Sequence, residues 1–394
     1  MKKLLLATAT LALTAGLASA EEVKIGLSLG FTGPLESLAP AMASGAELAV
    51  KEVSDSGKLL DGSTVTAVRA DNTCTDAAAS VAAVERLVTS DKVNGIMGGM
   101  CSGETIASLE RVGVPNGMVM ISPSATSPAL TDIEDQGFFF RTSPSDSRQG
   151  EVMADITLEH GIQSVAITYT NNDYGKGLAE SFKSAFEAKG GTVTMISAHD
   201  DGKADYSAEV GALAAAGGDA LAVVGYVDQG GSGVMRGVLD AGAFDTFILP
   251  DGMVGQPVVD KFGTELEKSF GQNPAAEGEG RDKFVELAKA AGFDGTSAFS
   301  AESYDATALM LLAMQAAGSS DPRVYKDKVM DVANAPGEKI GPGDLARGLE
   351  LLAAGQDIDY DGASAVEFVE PGESAGTYRE VDFKGGTLNA VRTR

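Results

Sequence analysis

The sequence has 394 residues, of which 44% are hydrophobic and 22% are charged, the balance of an ordinary globular protein. Acidic residues outnumber basic ones by 56 to 30, and the resulting net charge of −26 repels nucleic acids and anionic lipids, so neither is expected as a partner. The length exceeds what one hydrophobic core usually organises, which predicts two domains.

The first twenty residues have the features of a secretory signal peptide. Lys2 and Lys3 form a short cationic start, residues 4–17 are an apolar run, and Ala-Ser-Ala at 18–20 is a cleavage site. The apolar run is shorter than the roughly 20 residues that span a bilayer. We therefore predict that residues 1–20 are a signal peptide removed on export, and that the mature protein is soluble and periplasmic.

The chain contains two cysteines, Cys74 and Cys101. Export places them in an oxidising compartment, where such a pair usually forms a disulfide. A metal site built on the two cysteines is the alternative, but His160 and His199 stand too far along the chain to complete it predictably. We expect a disulfide, no metal and no cofactor.

Strands alternate with amphipathic helices along the chain, which predicts an α/β fold with mainly parallel sheets and helices on both faces. The pattern divides into two doubly wound units, and the second begins after an irregular stretch at 143–146. The predicted strands are 23–29, 64–70, 93–98 and 118–122 in the first unit and 164–170, 192–198, 220–225 and 247–250 in the second.

The last part of the chain is expected to return to both units. Helices dominate from residue 280 to about 354, and strands at 363–369 and 377–383 follow. Helices without strands need a sheet to cover, and late strands need a sheet to join, so three crossings are expected to form a hinge between two lobes. The crossings are placed near residues 143, 275 and 357, which makes lobe 1 residues 21–142 with 275–357 and lobe 2 residues 143–274 with 358–394.

Polar loops follow two predicted strands of the first lobe, at the sheet edge where open α/β sheets bind ligands. Residues 98–105 open a helix whose unpaired N–H groups and hydroxyls suit a carboxylate, although Ser102 could also be an ordinary N-cap. Residues 121–128 form a second loop rich in hydroxyls. Two such loops side by side favour a carboxylate site.

The corresponding loops of the second lobe carry Tyr174, Tyr226 and Asp251. An aspartate at a strand end is often a turn former or a cap. A tyrosine and an aspartate that converge at this edge could instead accept an ammonium group. Donors on one lobe and a carboxylate with aromatic rings on the other match a zwitterion, so the sequence predicts a small amino acid as the ligand.

The chain contains the segments KIGLSLGFTGPLESLA, SGAELAVKEV, CSGET, MISPSATSPALT, FFFRTSPSDSRQG, YTNNDYGKGLAESF and SAESYDATALM. Together they resemble the branched-chain amino-acid-binding proteins of ABC importers, the leucine/isoleucine/valine type of periplasmic binding protein. The resemblance spans essentially all of the mature chain. It implies a type I periplasmic-binding-protein fold and a monomer without enzymatic activity, which captures an α-amino acid by lobe closure and delivers it to a permease in the inner membrane.

The resemblance also implies roles for individual residues. The hydroxyl of Ser102, the backbone N–H of Ser124 and the hydroxyl of Thr126 would hold the ligand carboxylate. Tyr174 and Asp251 would hold its ammonium group.

Three further positions concern the walls of the cleft. Tyr226 resembles an aromatic residue that lines the cleft in the second lobe. Asp251 stands where the family more often has glutamate, so its carboxylate is shorter by one methylene. Leu38 stands where close relatives have an aromatic contact, so the pocket for the ligand side chain is altered.

Other readings of the sequence remain open. The same fold could bind a short-chain amide, urea or an aromatic carboxylate, although Asp251 disfavours an anionic end that lacks an ammonium group. Residues 26–30 fit the G-x-S-x-G pattern of an exported α/β hydrolase, but Ser28 lies inside an alternating strand and no histidine precedes His160. Residues 357–362 resemble the start of a calcium-binding loop, whose twelfth position is Phe368 instead of glutamate.

Overall fold

The structure is a computed structural model that describes residues 22–394. The predicted signal peptide, residues 1–20, and its cleavage site lie outside the described residues. Two seven-stranded sheets and one two-stranded sheet account for the strands of the described part. Within that part, none of the helices combines the length and the apolar character that a membrane span needs.

The strands are numbered in chain order. They are β1 (Glu22–Leu29), β2 (Thr64–Asp71), β3 (Gly95–Gly98), β4 (Met120–Ser122), β5 (Phe139–Arg141), β6 (Ser164–Thr170), β7 (Thr192–His199), β8 (Ala220–Val224), β9 (Phe247–Leu249), β10 (Phe270–Pro274), β11 (Glu338–Ile340), β12 (Ile358–Tyr360), β13 (Phe368–Val369), β14 (Glu373–Ser374), β15 (Tyr378–Asp382) and β16 (Asn389–Thr393).

The α-helices are numbered in the same way. They are α1 (Ala39–Ser56), α2 (Ala77–Arg86), α3 (Ser102–Ser108), α4 (Val114–Asn116), α5 (Asp146–Glu159), α6 (Asp173–Ala188), α7 (Ser207–Ala216), α8 (Gly230–Asp240), α9 (Gln256–Phe262), α10 (Glu279–Ala291), α11 (Ser300–Ala317), α12 (Pro322–Tyr325), α13 (Val329–Ala333) and α14 (Leu345–Ala353).

The first sheet, with the helices that cover it, is called the first lobe. Its strand order is β13-β14-β5-β4-β3-β1-β2, and the pairs from β2 to β5 are parallel. β1 is buried from Ile25 to Leu29 because it lies in the middle of the sheet with helices on both faces. Helix α11 packs beside α1 and is buried over residues 300–314, which explains why its sequence is apolar all round.

The second sheet, with its helices, is called the second lobe. Its strand order is β16-β15-β10-β9-β8-β6-β7, with β6 to β10 parallel and β15 and β16 antiparallel at one edge. Each of the parallel strands β6, β7 and β8 leads into a helix, as the alternating pattern predicted. The prediction of two doubly wound α/β units is therefore confirmed.

The chain passes between the two sheets three times. The first passage follows β5 at 142–145, the second follows β10 at 275–278, and the third follows β14 at 375–377. The second and third passages are hydrogen-bonded to each other, since Ala275 N donates to Thr377 O at 3.1 Å and Thr377 Oγ1 donates to Ala275 O at 2.7 Å. Three short adjacent segments of this kind can act as a hinge.

The prediction that residues 358–394 belong to the second lobe is wrong for residues 358–374. Strands β13 and β14 extend the first sheet, where β14 pairs in parallel with β5. The Phe368 ring stacks on Phe140 with centroids 5.9 Å apart, and Glu373 forms an ion pair of 2.5 Å with the buried Arg141. These contacts hold the segment on the first lobe, so the third passage comes about twenty residues later than the predicted one near 357.

Candidate functional site

A small cavity lies between the lobes at the carboxyl ends of their parallel strands. Its volume, taken as the space that the centre of a water-sized sphere can occupy, is about 10 Å³, room for about one water molecule. Five of the seven predicted contact residues line it, whereas Thr126 and Leu38 do not. The lining residues are Leu35, Met100, Cys101, Ser102, Ser124, Tyr174, Tyr226, Asp251, Gly252 and Phe299.

The turn between β3 and α3 forms one wall of the cavity. The predicted disulfide between Cys74 and Cys101 is confirmed, with Cα atoms 5.2 Å apart, and it ties this turn to the loop after β2. Glu104 Oε1 accepts hydrogen bonds from Cys101 N at 3.0 Å and from Asn72 Nδ2 at 2.8 Å. A covalent link and a buried carboxylate therefore fix the start of α3.

The second hydroxyl-rich loop lies directly against this turn, as predicted. Ser122 Oγ donates to Gly99 O at 2.7 Å, and Ser124 Oγ donates to Met100 O at 2.7 Å. Ser102 Oγ accepts from Ser127 N at 3.0 Å, which leaves the Ser102 hydroxyl hydrogen available to a ligand. The N–H of Ser124 makes only a long contact of 3.3 Å to Ser122 Oγ. This wall thus presents donors to the cavity.

The opposite wall is acidic and aromatic. Tyr174, in the first turn of α6, donates from its hydroxyl to Asp251 Oδ1 at 2.7 Å, and Gly252 N donates to the same oxygen at 2.9 Å. The Tyr174 and Tyr226 rings stack with centroids 5.2 Å apart. Burial raises the pKa of Asp251 above its ordinary value, although these hydrogen bonds oppose the rise.

A second acid, Asp146, lies close to Asp251 and was given no role by the sequence. It is in the first turn of α5, fully buried, and neither carboxylate oxygen has a hydrogen-bond partner within residues 22–394. The Thr126 hydroxyl is also buried and unpartnered, and the backbone joins the two residues because Asp146 N donates to Thr126 O at 2.8 Å. Buried polar groups are normally paired. The Thr126 hydroxyl lies close enough to the Asp146 carboxyl to lower its pKa, and beyond each other these two groups have no partner within the described residues.

The electrostatics of the acid pair follow from burial and proximity. Burial raises the pKa of Asp146 well above its ordinary value, the Asp251 charge raises it further, and Arg141 opposes the rise. Asp146 follows β5, a strand that the sequence analysis did not predict, so the search of strand ends did not reach it.

Three apolar side chains complete the wall of the cavity and were also missed by the sequence analysis. Leu35, Met100 and Phe299 are each at most 4% exposed. Phe299 has a φ of 61°, a left-handed conformation that a bulky residue rarely adopts, and it directly precedes α11. These side chains offer an apolar surface beside the polar walls.

The hydrolase and calcium patterns occupy ordinary structural positions. Ser28 is buried inside β1 and accepts a hydrogen bond from Asn72 Nδ2 at 3.2 Å. His199, a residue type that could act as a base, lies in the second lobe with Nδ1 2.8 Å from Thr168 Oγ1, and burial lowers its pKa to about 4. Residues 358–360 form β12, which pairs with β11. No group of three or more histidine, cysteine or acidic residues in the described part could hold a metal ion.

Two α/β lobes with a buried polar cavity at their facing sheet edges define the class of bilobed ligand-binding proteins. The chain matches the periplasmic binding protein family over residues 22–335 and therefore belongs to that family. It is 30% identical over 346 residues to the Leu/Ile/Val-binding protein homolog 1 of Brucella melitensis, and the match covers 86% of each chain.

Solved structures agree with this assignment at the level of the fold. The leucine binding protein LivK of Thermotoga maritima superposes with a TM-score of 0.79 at 22% identity, covering 94% of this chain and 98% of that one. LivJ of Streptococcus pneumoniae, solved in complex with isoleucine, gives a TM-score of 0.78 at 22% identity and covers 95% and 99%. The predicted type I periplasmic-binding-protein fold is confirmed.

Proposed function

We propose that the protein is the solute-binding component of an ABC importer and captures a free α-amino acid with a branched aliphatic side chain between its lobes. The observation that carries this proposal is the opposite polarity of the two walls of one buried cavity. Donors on the first lobe face a carboxylate on the second, and only a ligand with both charges satisfies both walls. The relatives with leucine, isoleucine and valine in their names support the choice of side chain.

The ligand carboxylate is assigned to the first lobe. Ser102, whose hydroxyl hydrogen is free, and Ser124 line the same small space, at the start of a helix whose dipole favours a negative charge. Hydrogen bonds to a carboxylate are stronger than those between neutral groups, and more so in a cleft without water. This lobe therefore provides the first docking surface.

The ligand ammonium group is assigned to the acidic wall. Asp251 is held in place by Tyr174, and Asp146, which lies close to Asp251 behind the cavity lining, supplies further acceptor oxygens. An ammonium group has three hydrogens to donate, which matches this set of acceptors. Leu35, Met100 and Phe299 then surround the aliphatic side chain.

Binding is coupled to closure of the lobes. In the structure the lobes are in direct contact, since Ser127 Oγ donates to Asp173 O at 3.0 Å and Ser37 N donates to Asp228 Oδ2 at 2.9 Å. The cavity holds about one water molecule, so an amino acid enters only after the lobes separate at the three passages. The closed surface with bound ligand is what a permease in the inner membrane would recognise, after residues 1–20 direct the chain to the periplasm.

A thermal unfolding experiment tests the proposed ligand class. Protein freed of bound ligand by dialysis in denaturant is expected to melt several degrees higher with leucine, isoleucine or valine, because ligand at 100 times its Kd adds about 2.7 kcal/mol of stability. Urea, acetamide and 4-hydroxybenzoate serve as controls for the alternative ligands and are expected to leave the melting temperature unchanged. A shift with any of these three, and none with the amino acids, would replace the proposal by the corresponding alternative.

A further inference from the structure

A second cavity, of about 400 Å³ by the same measure, lies between the lobes beside the first. Both lobes contribute to its wall, and it contains the predicted contact residue Leu38, which the smaller cavity lacks. The first lobe supplies Ser37, Leu38, Asp294 and residues 296–298, and the second lobe supplies residues 254–257, Asp260, Asn273, Arg379, Val381, Leu388 and Ala390.

The two cavities share stretches of chain. On the first lobe, Phe299 lines the first cavity and the adjacent Ala298 lines the second. On the second lobe, Gly252 lines the first cavity and Val254 lines the second. Leu38 reaches across the gap between the lobes, since a Cβ placed on Gly255 would lie 3.8 Å from Leu38 Cδ2. The second cavity is therefore the continuation of the cleft past the apolar side chains that surround the proposed ligand side chain.

Arg379 is the charged residue of this wall that is left without a partner. It lies in β15, is half-buried, and makes no side-chain hydrogen bond or ion pair within residues 22–394. The two acids of the wall are already engaged: Asp260 accepts from Gln256 Nε2 at 2.7 Å, and Asp294 accepts from the N–H and hydroxyl of Thr296.

Charges of both signs lie near Arg379, but none of them forms an ion pair with its guanidinium within residues 22–394. Burial lowers its pKa, and the nearby Arg281 guanidinium lowers it further, against the opposing effect of Glu302 and Glu277. Burial raises the pKa of Glu302 to about 7, so its carboxyl carries only part of a negative charge at neutral pH. A partly desolvated guanidinium with no fixed partner is costly unless a ligand supplies an anion.

We infer that the second cavity receives the distal carboxylate of an α-amino acid whose side chain ends in a carboxylate, with Arg379 as its partner. The inference rests on the proposed function, because the α-carboxylate and the ammonium group are held at the first cavity. The hydroxyl of Ser297 and the amide of Asn273 lie on the same wall and can complete the contacts of the distal group. The protein then binds acidic amino acids of this kind in addition to aliphatic ones.

Calorimetric titration of ligand-free protein with leucine, glutamate, 2-aminoadipate and glutarate tests the inference. We expect at least one of the two acidic amino acids to bind, and Arg379→Met to weaken it by about tenfold or more while the affinity for leucine changes by less than about twofold. Arg236→Met, an exposed arginine of α8 in the same lobe, is the control and is expected to change neither affinity.

Three results would overturn the inference. If leucine binds and neither acidic amino acid does, the second cavity does not bind a distal carboxylate. The same conclusion follows if Arg379→Met weakens leucine and the acidic amino acids equally, or if glutarate, which has no ammonium group, binds as well as glutamate. If leucine also fails to bind, the proposed function itself is wrong.

Discussion

Asp251→Asn is expected to weaken leucine binding by about 100-fold or more. The asparagine keeps the size of the side chain and an oxygen that can accept the Tyr174 hydrogen bond, so the wall of the cavity is preserved. What is lost is the charge that faces the ligand ammonium group inside a cavity closed to water. Removal of one partner of a buried ion pair leaves the other without compensation, which is why a large effect is expected.

The measurement is calorimetric titration with leucine, accompanied by a thermal unfolding curve of the ligand-free variant. Asp240→Asn is the matched control, because Asp240 is an exposed acid in α8 of the same lobe and its side chain is 70% exposed. The control is expected to bind leucine normally. An Asp251→Asn variant that folds and binds leucine with wild-type affinity would contradict the assignment of the acidic wall.

Asp146→Asn is expected to have opposite effects on binding and on stability. Leucine affinity should fall by about tenfold, because an acceptor of the ammonium group loses its charge. The free energy of unfolding of the ligand-free protein should rise by about 1 kcal/mol or more, because a buried carboxylate without a hydrogen-bond partner is removed. Residues placed for function at the expense of stability show this pattern.

The pH dependence of the same two quantities follows from the raised pKa values of Asp146 and Asp251. The folded state binds these protons more tightly than the unfolded state, so the stability of the ligand-free protein increases as pH falls through the raised pKa values toward the ordinary value of about 4. Leucine affinity decreases over the same interval, because protonated carboxyls attract an ammonium group weakly.

Both trends can be followed by titration and thermal unfolding between pH 8 and pH 4 for the wild type, Asp146→Asn and the control Asp155→Asn. Asp155 lies on the same helix α5, exposed and paired with Lys189. The account predicts that Asp146→Asn flattens the stability trend and that Asp155→Asn does not. Equal effects of the two substitutions would show that Asp146 does not cause the trend, and a loss of stability in Asp146→Asn would show that Asp146 stabilises the fold.

Much of the architecture could be predicted because parallel strands buried on both faces are short apolar runs between amphipathic helices. The strands β1, β6 and β8 are apolar runs of this kind. The return of the chain to the first lobe at β13 and β14 could not be predicted in this way. β13 and β14 have two residues each, too few for a hydrophobic period, and their place depends on the contact of Glu373 with Arg141 across the fold.

Five of the seven site residues that the sequence identified share one property: each follows a strand at the facing edges of the two sheets. Ser102, Ser124, Tyr174, Tyr226 and Asp251 were found by this rule and by family resemblance, and the structure brings them to one cavity.

Asp146 and Leu38 lie outside that rule. The importance of Asp146 depends on its having no partner, a property of the packed structure that no local pattern records. Leu38 was placed at the ligand by resemblance, but its leucine side chain lines the larger second cavity, together with the unpaired Arg379.

Three ligands of one shape test whether one wall of the first cavity binds a carboxylate and the opposite wall an ammonium group. Leucine carries both groups, leucinamide lacks the carboxylate, and 4-methylpentanoate lacks the ammonium group. Titrated into ligand-free protein, leucine is predicted to bind, and each of the other two is predicted to bind about 100-fold more weakly or not at all. Binding of 4-methylpentanoate with the affinity of leucine would contradict the account, because the buried acids would then play no part in recognition.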